Sequence, residues 1–433
     1  MRKVVLIVTF LFAGLATVYA LPPGDMQLTL KQAQDYALEY NKNVKNAKLD
    51  VDAAQKRIWE SIASGLPQID AKADYSNYLG ASMSIQFDPN QPATEIPFKT
   101  TANVSATVSQ LLFSGSYLVG LQSAQIYKSL SETNYEKSQQ DIKEQVANSY
   151  YLILVSEETR DILKKNLENM RSTLAKTKTM EKVGMAEATD VDQLSVSVST
   201  LENGVRSADR QVEMAYNMLR FELGIPGEQE IHLTETIETI IDRINFTVLI
   251  DQSMSVDNNL DYKMIEIQEQ LSEKQVALEK SAYLPTLSSY YSRIEKIKKA
   301  SFDASPKNVI GLDLSIPIFS SGLRKAKVSE ANIGLEQIQN QKDLLEEQLK
   351  IQEKQLRFNL RNALDKYTSQ KENVKVALRV NRNFDLKYEQ GVASSLERLQ
   401  ANDSYLQAET NYVGATLELL QAYVAWEKLL NNL

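Results

Sequence analysis

The chain has 433 residues, no cysteine and one histidine, and its 56 Asp and Glu outnumber its 48 Lys and Arg, for a net charge of −8. The lack of cysteine excludes disulfides, a lipid anchor on an N-terminal Cys and a Cys-His site. We interpret His232 as an ordinary surface residue. Nucleic acid is a poor partner for so acidic a chain. Since the chain also has no glycine-rich phosphate loop and no G-x-S-x-G elbow, we expect no enzyme activity, no cofactor and no metal site.

Residues 1–20 have the features of a secretory signal peptide. Arg2 and Lys3 form a basic head, residues 4–18 are apolar, and the segment ending at Ala20 offers small residues for cleavage. A membrane anchor is the weaker alternative, because an apolar run of about 15 residues is shorter than the roughly 20 that a spanning helix needs. Cleavage removes two of the 48 cations, which leaves 46 against 56 acidic residues, a net charge of −10.

Proline placement divides the mature chain into strand-like and helical tracts. No proline occurs between Pro97 and Pro226 or after Pro317. Both tracts are rich in Leu, Gln, Glu, Lys and Ala, which favour helix. Each tract is broken once, at Gly184 and at Gly391, where a glycine that can end a helix precedes residues that can cap the next one.

The first predicted structural repeat covers residues 21–226. Apolar and polar residues alternate over 67–79 and 100–113, as expected of strands with one apolar face. A long helix over 115–182 and a return helix over 190–223 follow. Apolar residues in the return helix recur at spacings of three and four, which is typical of helices packed as coiled coils.

A connecting equatorial segment, 227–255, leads to the second predicted repeat, 256–433. Its strands are predicted at 285–297, where the alternation is poor, and at 308–319. Its long helix is predicted at 322–388 and its return helix at 395–430. Each repeat has the same order of elements, which indicates a tandem duplication.

The predicted strand-to-helix junctions are near copies of each other. LLFSGS contains Phe113 and Gly115, and IPIFSSG contains Phe319 and Gly322. In both, a strand is expected to run directly into a helix with only a Ser-Gly pivot, because glycine frees the backbone where its twist changes.

Four amphipathic strands cannot close a barrel, and open strand edges are not tolerated in lipid. Three copies would supply twelve strands, which is within the range of outer-membrane barrels. The alternative, a half-buried sheet in a soluble protein, is less favoured because no suitable packing layer exists beside helices of about 100 Å.

The two junctions and the two helix turns, EKVGMAEATDVDQL and YEQGVASSLERLQA, resemble those of TolC-type outer-membrane efflux proteins. The resemblance covers essentially the whole mature chain. It implies a mainly α fold with a small β part: a homotrimer whose 12-stranded β-barrel lies in the outer membrane of a Gram-negative bacterium and continues into a periplasmic α-helical barrel.

The same resemblance implies the function and the partners. Such a trimer is the exit duct of a tripartite efflux pump or a type I secretion system. It receives substrates from an inner-membrane pump, docks a periplasmic adaptor (membrane fusion) protein and contacts outer-membrane lipid.

The resemblance also implies roles for residues near the turns. Asp190 and Glu397 fall where family acids line the narrowest point of the tube, and Tyr388 falls where a tyrosine holds it shut. Gln400 replaces a further family acid and Ala393 a family arginine. These two departures bear on the family's salt-bridge lock and not on the constriction itself.

A structural role is the alternative for each gate residue. Ser394 and Glu397 fit a capping box, the stretch from Thr189 to Asp192 fits one nearly as well, and Tyr388 continues the apolar seam. The turns themselves are expected to dock the adaptor through small residues: Gly184, Ala186, Gly391, Ala393 and Ser394.

The alternative function is a periplasmic coiled-coil adaptor or a structural spacer. Adaptors usually have one helical hairpin flanked by small β-domains. Two hairpins, each preceded by amphipathic strands, favour the channel over this alternative.

Overall fold

The computed structural model describes residues 26–86, 93–227, 229–300, 303 and 305–433. The predicted signal peptide, residues 1–20, lies outside these residues. Up to residue 227, the elements in chain order are β1 (Met26–Leu28), α1 (Leu30–Tyr40), α2 (Lys42–Ala63), β2 (Gln68–Ser76), β3 (Ser82–Ile85), β4 (Thr94–Pro97), β5 (Thr101–Ser114), α3 (Gly115–Lys182) and α4 (Ala188–Leu223). From residue 229 onward they are β6 (Ile231–Leu233), α5 (Ile237–Arg243), α6 (Phe246–Ile250), a 3-10 turn (Val256–Asn258), α7 (Leu260–Ser281), β7 (Thr286–Lys298), β8 (Asn308–Ser315), α8 (Leu323–Glu389) and α9 (Ser395–Leu429).

The two long helices set the shape of the molecule. α3 and α8 contain 68 and 67 residues, so each is about 100 Å long at 1.5 Å per residue. α4 packs back along α3, and α9 packs against both α8 and α3. Nearer the strands, α2 packs on α3, α3 on α7 and α7 on α8. This arrangement confirms the predicted fold class, which is mainly α with a small β part.

In the described part of the chain, no helix combines the length and the hydropathy that crossing a membrane requires.

The main sheet has four strands in the order β2-β5-β7-β8, and every neighbouring pair is antiparallel. β5 comes before α3 and β7 comes after α7, so the central pair of the sheet joins the two predicted repeats. Among the described residues, β2 and β8 each pair with one other strand. Their outer edges therefore present a row of backbone groups that a further strand could pair with.

Strand register separates the sheet into an apolar face and a polar face, because cross-strand partners point to the same side. Ile69, Val108, Tyr291 and Ile310 form one row across the sheet. The apolar face contains Ile69, Ala71, Ala73, Tyr75, Ala102, Val104, Ala106, Val108, Gln110, Phe113, Leu287, Ser289, Tyr291, Arg293, Glu295, Lys298, Asn308, Ile310, Leu312 and Leu314. The polar face contains Asp70, Lys72, Asp74, Asn103, Ser105, Thr107, Ser292, Lys296 and Asp313 among others.

Two strands are shorter than the sequence predicts. β2 ends at Ser76 instead of 79, because its partner β5 begins at Thr101, which pairs with Ser76. β8 ends at Ser315 instead of 319, where it pairs with Thr286, the first residue of β7. Pro317 follows and has no N–H with which to extend the ladder. Between β2 and β5, β3 and β4 pair antiparallel, which the sequence pattern does not predict.

The two strand-to-helix junctions differ, although their sequences are similar. β5 runs directly into α3, and the Ser114 hydroxyl accepts a hydrogen bond from Tyr117 N (3.3 Å). In the second junction, residues 316–322 separate β8 from α8, which contradicts the expected direct connection. Here the chain turns through two positive φ angles, 49° at Ser321 and 84° at Gly322. Pro317 ends the strand early, and the extra residues make a turn that the first junction does not need.

The principal core lies around the middle of the long helices, where β1 and β6 pair in parallel beside α3. Tyr150 is fully buried there, and its hydroxyl donates to Leu28 O (3.1 Å). Trp426 of α9 is also fully buried and donates through Nε1 to Leu249 O (2.9 Å). The connecting segment is thus fixed to the helices by buried apolar contacts and by hydrogen bonds that satisfy the polar atoms.

Gly224 ends α4 at this level in a left-handed conformation, with φ of 70°. A Cβ atom at Gly224 would lie 2.8 Å from Tyr40 O, which belongs to the backbone. We therefore expect Gly224→Ala to lower the free energy of unfolding by about 2 kcal/mol or more, since backbone strain and the close contact add. Gly227→Ala is the control, because nothing lies within 4 Å of its Cβ position. Denaturant unfolding of the two variants checks this, and equal stability would contradict it.

Candidate functional site

The two helical hairpins, α3–α4 and α8–α9, end in turns of the same geometry. Gly184 and Gly391 have φ angles of 75° and 72°. In each turn the glycine N–H and the next N–H bond to helix carbonyls: Gly184 N to Glu181 O (2.9 Å), Met185 N to Met180 O (2.8 Å), Gly391 N to Tyr388 O (3.0 Å) and Val392 N to Lys387 O (2.8 Å). This pair of bonds is the Schellman motif, which requires a residue that adopts positive φ readily. The glycines therefore fix where each hairpin reverses.

The predicted docking residues lie at the surface of these turns. Gly184, Gly391 and Ser394 are exposed, and Ala186 and Ala393 are half-buried. Sequence reasoning missed the apolar residues beside them. Met185 and Val392, which follow the two glycines, are 72% and 73% exposed. Large apolar side chains so exposed at both turns indicate a contact surface. The signal in the sequence that could have identified them is their position directly after each turn glycine.

Asp190 and Glu397 occupy equivalent positions, the third residue of α4 and of α9. Asp190 Oδ2 accepts from Glu187 N (3.3 Å). Glu397 Oε2 accepts from the N–H and the hydroxyl of Ser394, both at 2.9 Å, and Glu397 N donates to Ser394 Oγ (3.3 Å). Both acids thus cap the start of a return helix. The capping box expected from Thr189 to Asp192 is not the one observed, because α4 already begins at Ala188 and Glu187 is its N-cap.

Capping leaves these acids available to solvent. Glu397 and Gln400 are exposed and Asp190 is half-buried. Both bonds from Ser394 reach the same oxygen of Glu397, Oε2. The hydrogen bond from the Ser394 backbone, followed by that from its hydroxyl, lowers the pKa of Glu397 below its usual value. Glu397 is therefore ionised at neutral pH, and capping does not prevent it from acting on ions nearby.

Tyr388 connects the two hairpins. Its hydroxyl lies 2.9 Å from Thr177 Oγ1 of α3 and 3.5 Å from Ser395 Oγ of α9. Thr177 is fully buried. The guanidinium of Arg398 lies 5.2 Å from the centre of the Tyr388 ring, and its Nε donates to Asp385 Oδ1 (2.7 Å). Tyr388 is thus a half-buried polar tie between helices, rather than only a member of the apolar seam. Sequence reasoning did not identify Thr177 or Arg398.

Further contacts between the hairpins are weaker. Lys176 Nζ lies 3.4 Å from Glu389 Oε1, but both side chains are more than half exposed, and such surface pairs contribute little. Asn402 Nδ2 donates to Asn166 Oδ1 (3.2 Å). An open cleft of about 430 Å³ lies beside Tyr388. The turn end is therefore held together by few and mostly polar contacts.

No group of three or more His, Cys, Asp or Glu within the described ranges is arranged to hold a metal ion. His232 lies exposed on β6, opposite Gln27 of β1.

Comparisons with known proteins agree with this architecture. A family described as outer membrane efflux protein matches residues 34–224 and 253–432. The chain is 24% identical over 322 residues to outer membrane protein TolC of Salmonella enteritidis. That alignment covers 70% of this chain and 62% of the relative, which is less than two thirds of the relative's length.

Solved structures show the same fold at low sequence identity. The outer membrane protein VceC of Vibrio cholerae is 14% identical, with a TM-score of 0.73 over 93% of this chain and 95% of that one. The CmeC outer membrane channel of Campylobacter jejuni is 17% identical, with a TM-score of 0.73 over 93% and 85% of the two chains. The MtrE outer membrane channel of Neisseria gonorrhoeae, in an open state, is 16% identical, with a TM-score of 0.73 over 93% and 88%.

Proposed function

Because the chain belongs to the outer membrane efflux protein family, we propose that three copies form an outer-membrane channel, the exit duct of a tripartite efflux pump or a type I secretion system. The observation that carries this proposal is the four-stranded sheet, which has one apolar face and, in the part of the chain that the structure describes, two unpaired edges. Such edges are unfavourable in lipid, because every backbone polar group there needs a hydrogen-bond partner.

Three copies of the sheet would close its edges by pairing β8 of one chain with β2 of the next. The resulting twelve strands are within the range of known outer-membrane barrels. β5 and β7, with 14 and 13 residues, exceed the roughly 9–11 residues that a tilted spanning strand needs. The apolar face would then contact lipid and the polar face would line the pore.

The long helices would carry the duct through the periplasm, with the two turns at the far end. The exposed Met185 and Val392, flanked by the small residues Ala186 and Ala393, offer a surface for a helical hairpin of a periplasmic adaptor. An inner-membrane pump would complete the assembly. The alternative of a coiled-coil adaptor or spacer leaves the apolar face of the sheet without a function.

The trimer is tested by the mass of the purified protein. We expect extraction from membranes to need detergent, and cross-linking and detergent-corrected mass measurement to report three chains. The physical reason is that a single sheet exposes both its apolar face and its edges. A monomer recovered from the periplasmic fraction without detergent would overturn the proposal and support the spacer alternative.

Tyr388→Phe tests the tie between the hairpins. In the role proposed for Tyr388, its contact with Thr177 Oγ1 holds the turn end shut. Removing the hydroxyl would then cost on the order of 1 kcal/mol of closed-state stability per chain. We therefore expect a higher conductance of the isolated channel in planar bilayers, with the trimer intact. Tyr127→Phe, on an exposed position of α3, serves as the control. Equal conductance in wild type and Tyr388→Phe would show that Tyr388 only packs.

A further inference from the structure

The register of β7 places charged residues on the apolar face, at the end farthest from the helices. Arg293, Glu295 and Lys298 lie on this face, in rows with Ala106, Val104 and Ala102. The sequence alone does not show this, because β7 alternates poorly and a bulge between Ala102 and Asn103 shifts its register. Nothing about export through the pore requires charged side chains on this side of the sheet.

The charges on this face do not balance. Glu295 accepts from Arg293 Nη2 (2.8 Å) and from Nζ of Lys307 (3.1 Å), the residue that directly precedes β8. Lys298 Nζ lies 5.6 Å from the centre of the Tyr75 ring. Among the residues that the sheet's register assigns to the apolar face, Glu295 is the one carboxylate. The register places Arg293 and Lys298 on this face, and Lys307, whose backbone alternates to the polar side, reaches it through its bond to Glu295. Three cations therefore surround one acid, a surplus of two positive charges per chain.

Lys296, a cation of the polar face, has a different environment. Lys296, in the adjacent position of β7, pairs with Asp303 Oδ2 (2.6 Å), and both side chains are largely buried. Its Nζ also donates to Ser305 O (2.6 Å). Lys296 is thus satisfied within the protein, whereas the side chains of Arg293 and Lys307 are 60% and 59% exposed. Arg293 and Lys298 lie on the side that would face lipid, and the ammonium of Lys307 joins them there through Glu295.

The height of these cations fits the border of a membrane. Arg293 lies six residues beyond Leu287, about 20 Å along the strand at roughly 3.4 Å per residue. Below Leu287, the exposed Ile318 and Phe319 extend the apolar surface toward the helices. An apolar band of about 25 Å bordered by aromatic residues is typical of outer-membrane barrels. Arg293 and Lys307 would then lie at the outer border, and Lys298, beside Tyr75, would lie about 17 Å further out along β7 at roughly 3.4 Å per residue.

We propose that Arg293, Lys298 and Lys307, the basic patch, bind the phosphate groups of phosphorylated glycolipid in the outer leaflet. The inference rests on the proposed function for its orientation. Lipid phosphate is the occupant because the patch combines a charge surplus with an adjoining apolar surface for acyl chains. Arg293 adds a planar fork that suits phosphate oxygens. Glu295 positions the two cations that it bonds and competes with the phosphate for them.

The test uses the purified full-length trimer in detergent and lipid A carrying both phosphates as the probe, with binding measured by native mass spectrometry. We expect the triple variant Arg293→Gln, Lys298→Gln, Lys307→Gln to bind it roughly 100-fold more weakly, or about fivefold per cation. The matched control, Lys72→Gln, Lys325→Gln, Lys327→Gln, removes three cations elsewhere and should bind like wild type. Equal binding by the triple variant and wild type would overturn the proposal.

Two further measurements test the basic patch independently of the triple variant. Glu295→Gln should strengthen binding, since it frees Arg293 and Lys307, and this readout does not depend on the triple variant folding. Weaker or unchanged binding by Glu295→Gln would count against the patch. Lipid A without phosphates should bind poorly and millimolar inorganic phosphate should not compete; competition by free phosphate would show a general anion site instead.

Bilayer conductance of the wild type, recorded in parallel, separates the two proposals. A protein that conducts, but binds lipid A with and without phosphates equally, refutes the basic patch alone. A protein that never conducts refutes the channel, and with it the orientation on which the patch depends.

Discussion

Replacing both acids at the start of the return helices, Asp190→Asn together with Glu397→Gln, is expected to remove most of the cation preference of the channel. In a trimer the two positions would gather six carboxylates at the narrow end of the tube. Such a ring attracts cations and repels anions, and in a narrow pore it dominates selectivity. We also expect divalent and trivalent metal ions to block the wild-type channel from the periplasmic side, and the double variant to escape this block.

Planar-bilayer recordings measure both the cation preference and the metal block. A control variant that loses only the helix cap separates these effects from a loss of stability. Ser394→Ala deletes the hydroxyl that bonds Glu397 N and Oε2, but it keeps both carboxylates. This variant should lose about 1 kcal/mol of stability and retain selectivity and block. If the double variant behaved in the same way, with unchanged selectivity, both acids would be helix caps only.

The low pKa of Glu397 sets the pH range of its capping contribution within one chain. Since the bonds from Ser394 favour the ionised form, the folded-state pKa lies below the usual value of 4.5. The stabilisation that they give is fully present above the unfolded-state pKa and is lost as the pH falls through the lower, folded-state pKa. We therefore expect this stabilisation to be complete above pH 4.5 and to be lost only in more acidic solution, which denaturant unfolding at a series of pH values measures.

Bulky residues at the turns, Ala186→Trp combined with Ser394→Trp, are expected to abolish export while the trimer still inserts. Both positions lie beside the exposed Met185 and Val392, where a partner's side chains would need close approach. An indole ring there would hold an adaptor away from the turns. Export by cells and trimer formation in their membranes are the two measurements.

A control variant distinguishes the effect of added side-chain volume from the effect of losing the helix cap at Ser394. Ala186→Ser with Ser394→Ala removes the same hydroxyl from position 394 without adding volume, so it should export normally. Failure of this small variant would assign the effect to the cap. Normal export by the double Trp variant would instead exclude the turns as the docking surface.

The sequence predicts features that depend on neighbours in the chain. Alternation gave β5, the proline-free tracts gave the long helices, and Gly184 and Gly391 marked the turns, because these signals act over a few residues. The pairing of β3 with β4 gives no such signal, since each strand has only four residues. Alternation also continues past the end of β8, which is set by Pro317, a residue without an N–H for the ladder.

Other features depend on contacts between distant residues. Tyr388 and Thr177 are 211 positions apart, so no local pattern shows that their hydroxyls meet. The face on which Arg293 lies depends on the bulge in its pairing with β5. The N-cap at Glu187 likewise depends on where the turn after Gly184 ends. In each case the role of the side chain depends on where the folded backbone places it.

The unpaired edges of β2 and β8 also bear on the rate at which the proposed channel would be made. Neither edge has a second partner among the described residues, so in the proposed trimer the barrel would close through successive pairwise encounters of three chains and not in a folding step that a monomer completes alone. The speed of closure would then depend steeply on how many chains are present at once. Until two others arrive, each chain would expose two strand edges and an apolar surface, which would make it prone to aggregate. Slow synthesis would therefore delay assembly far more than it delays the folding of the helices.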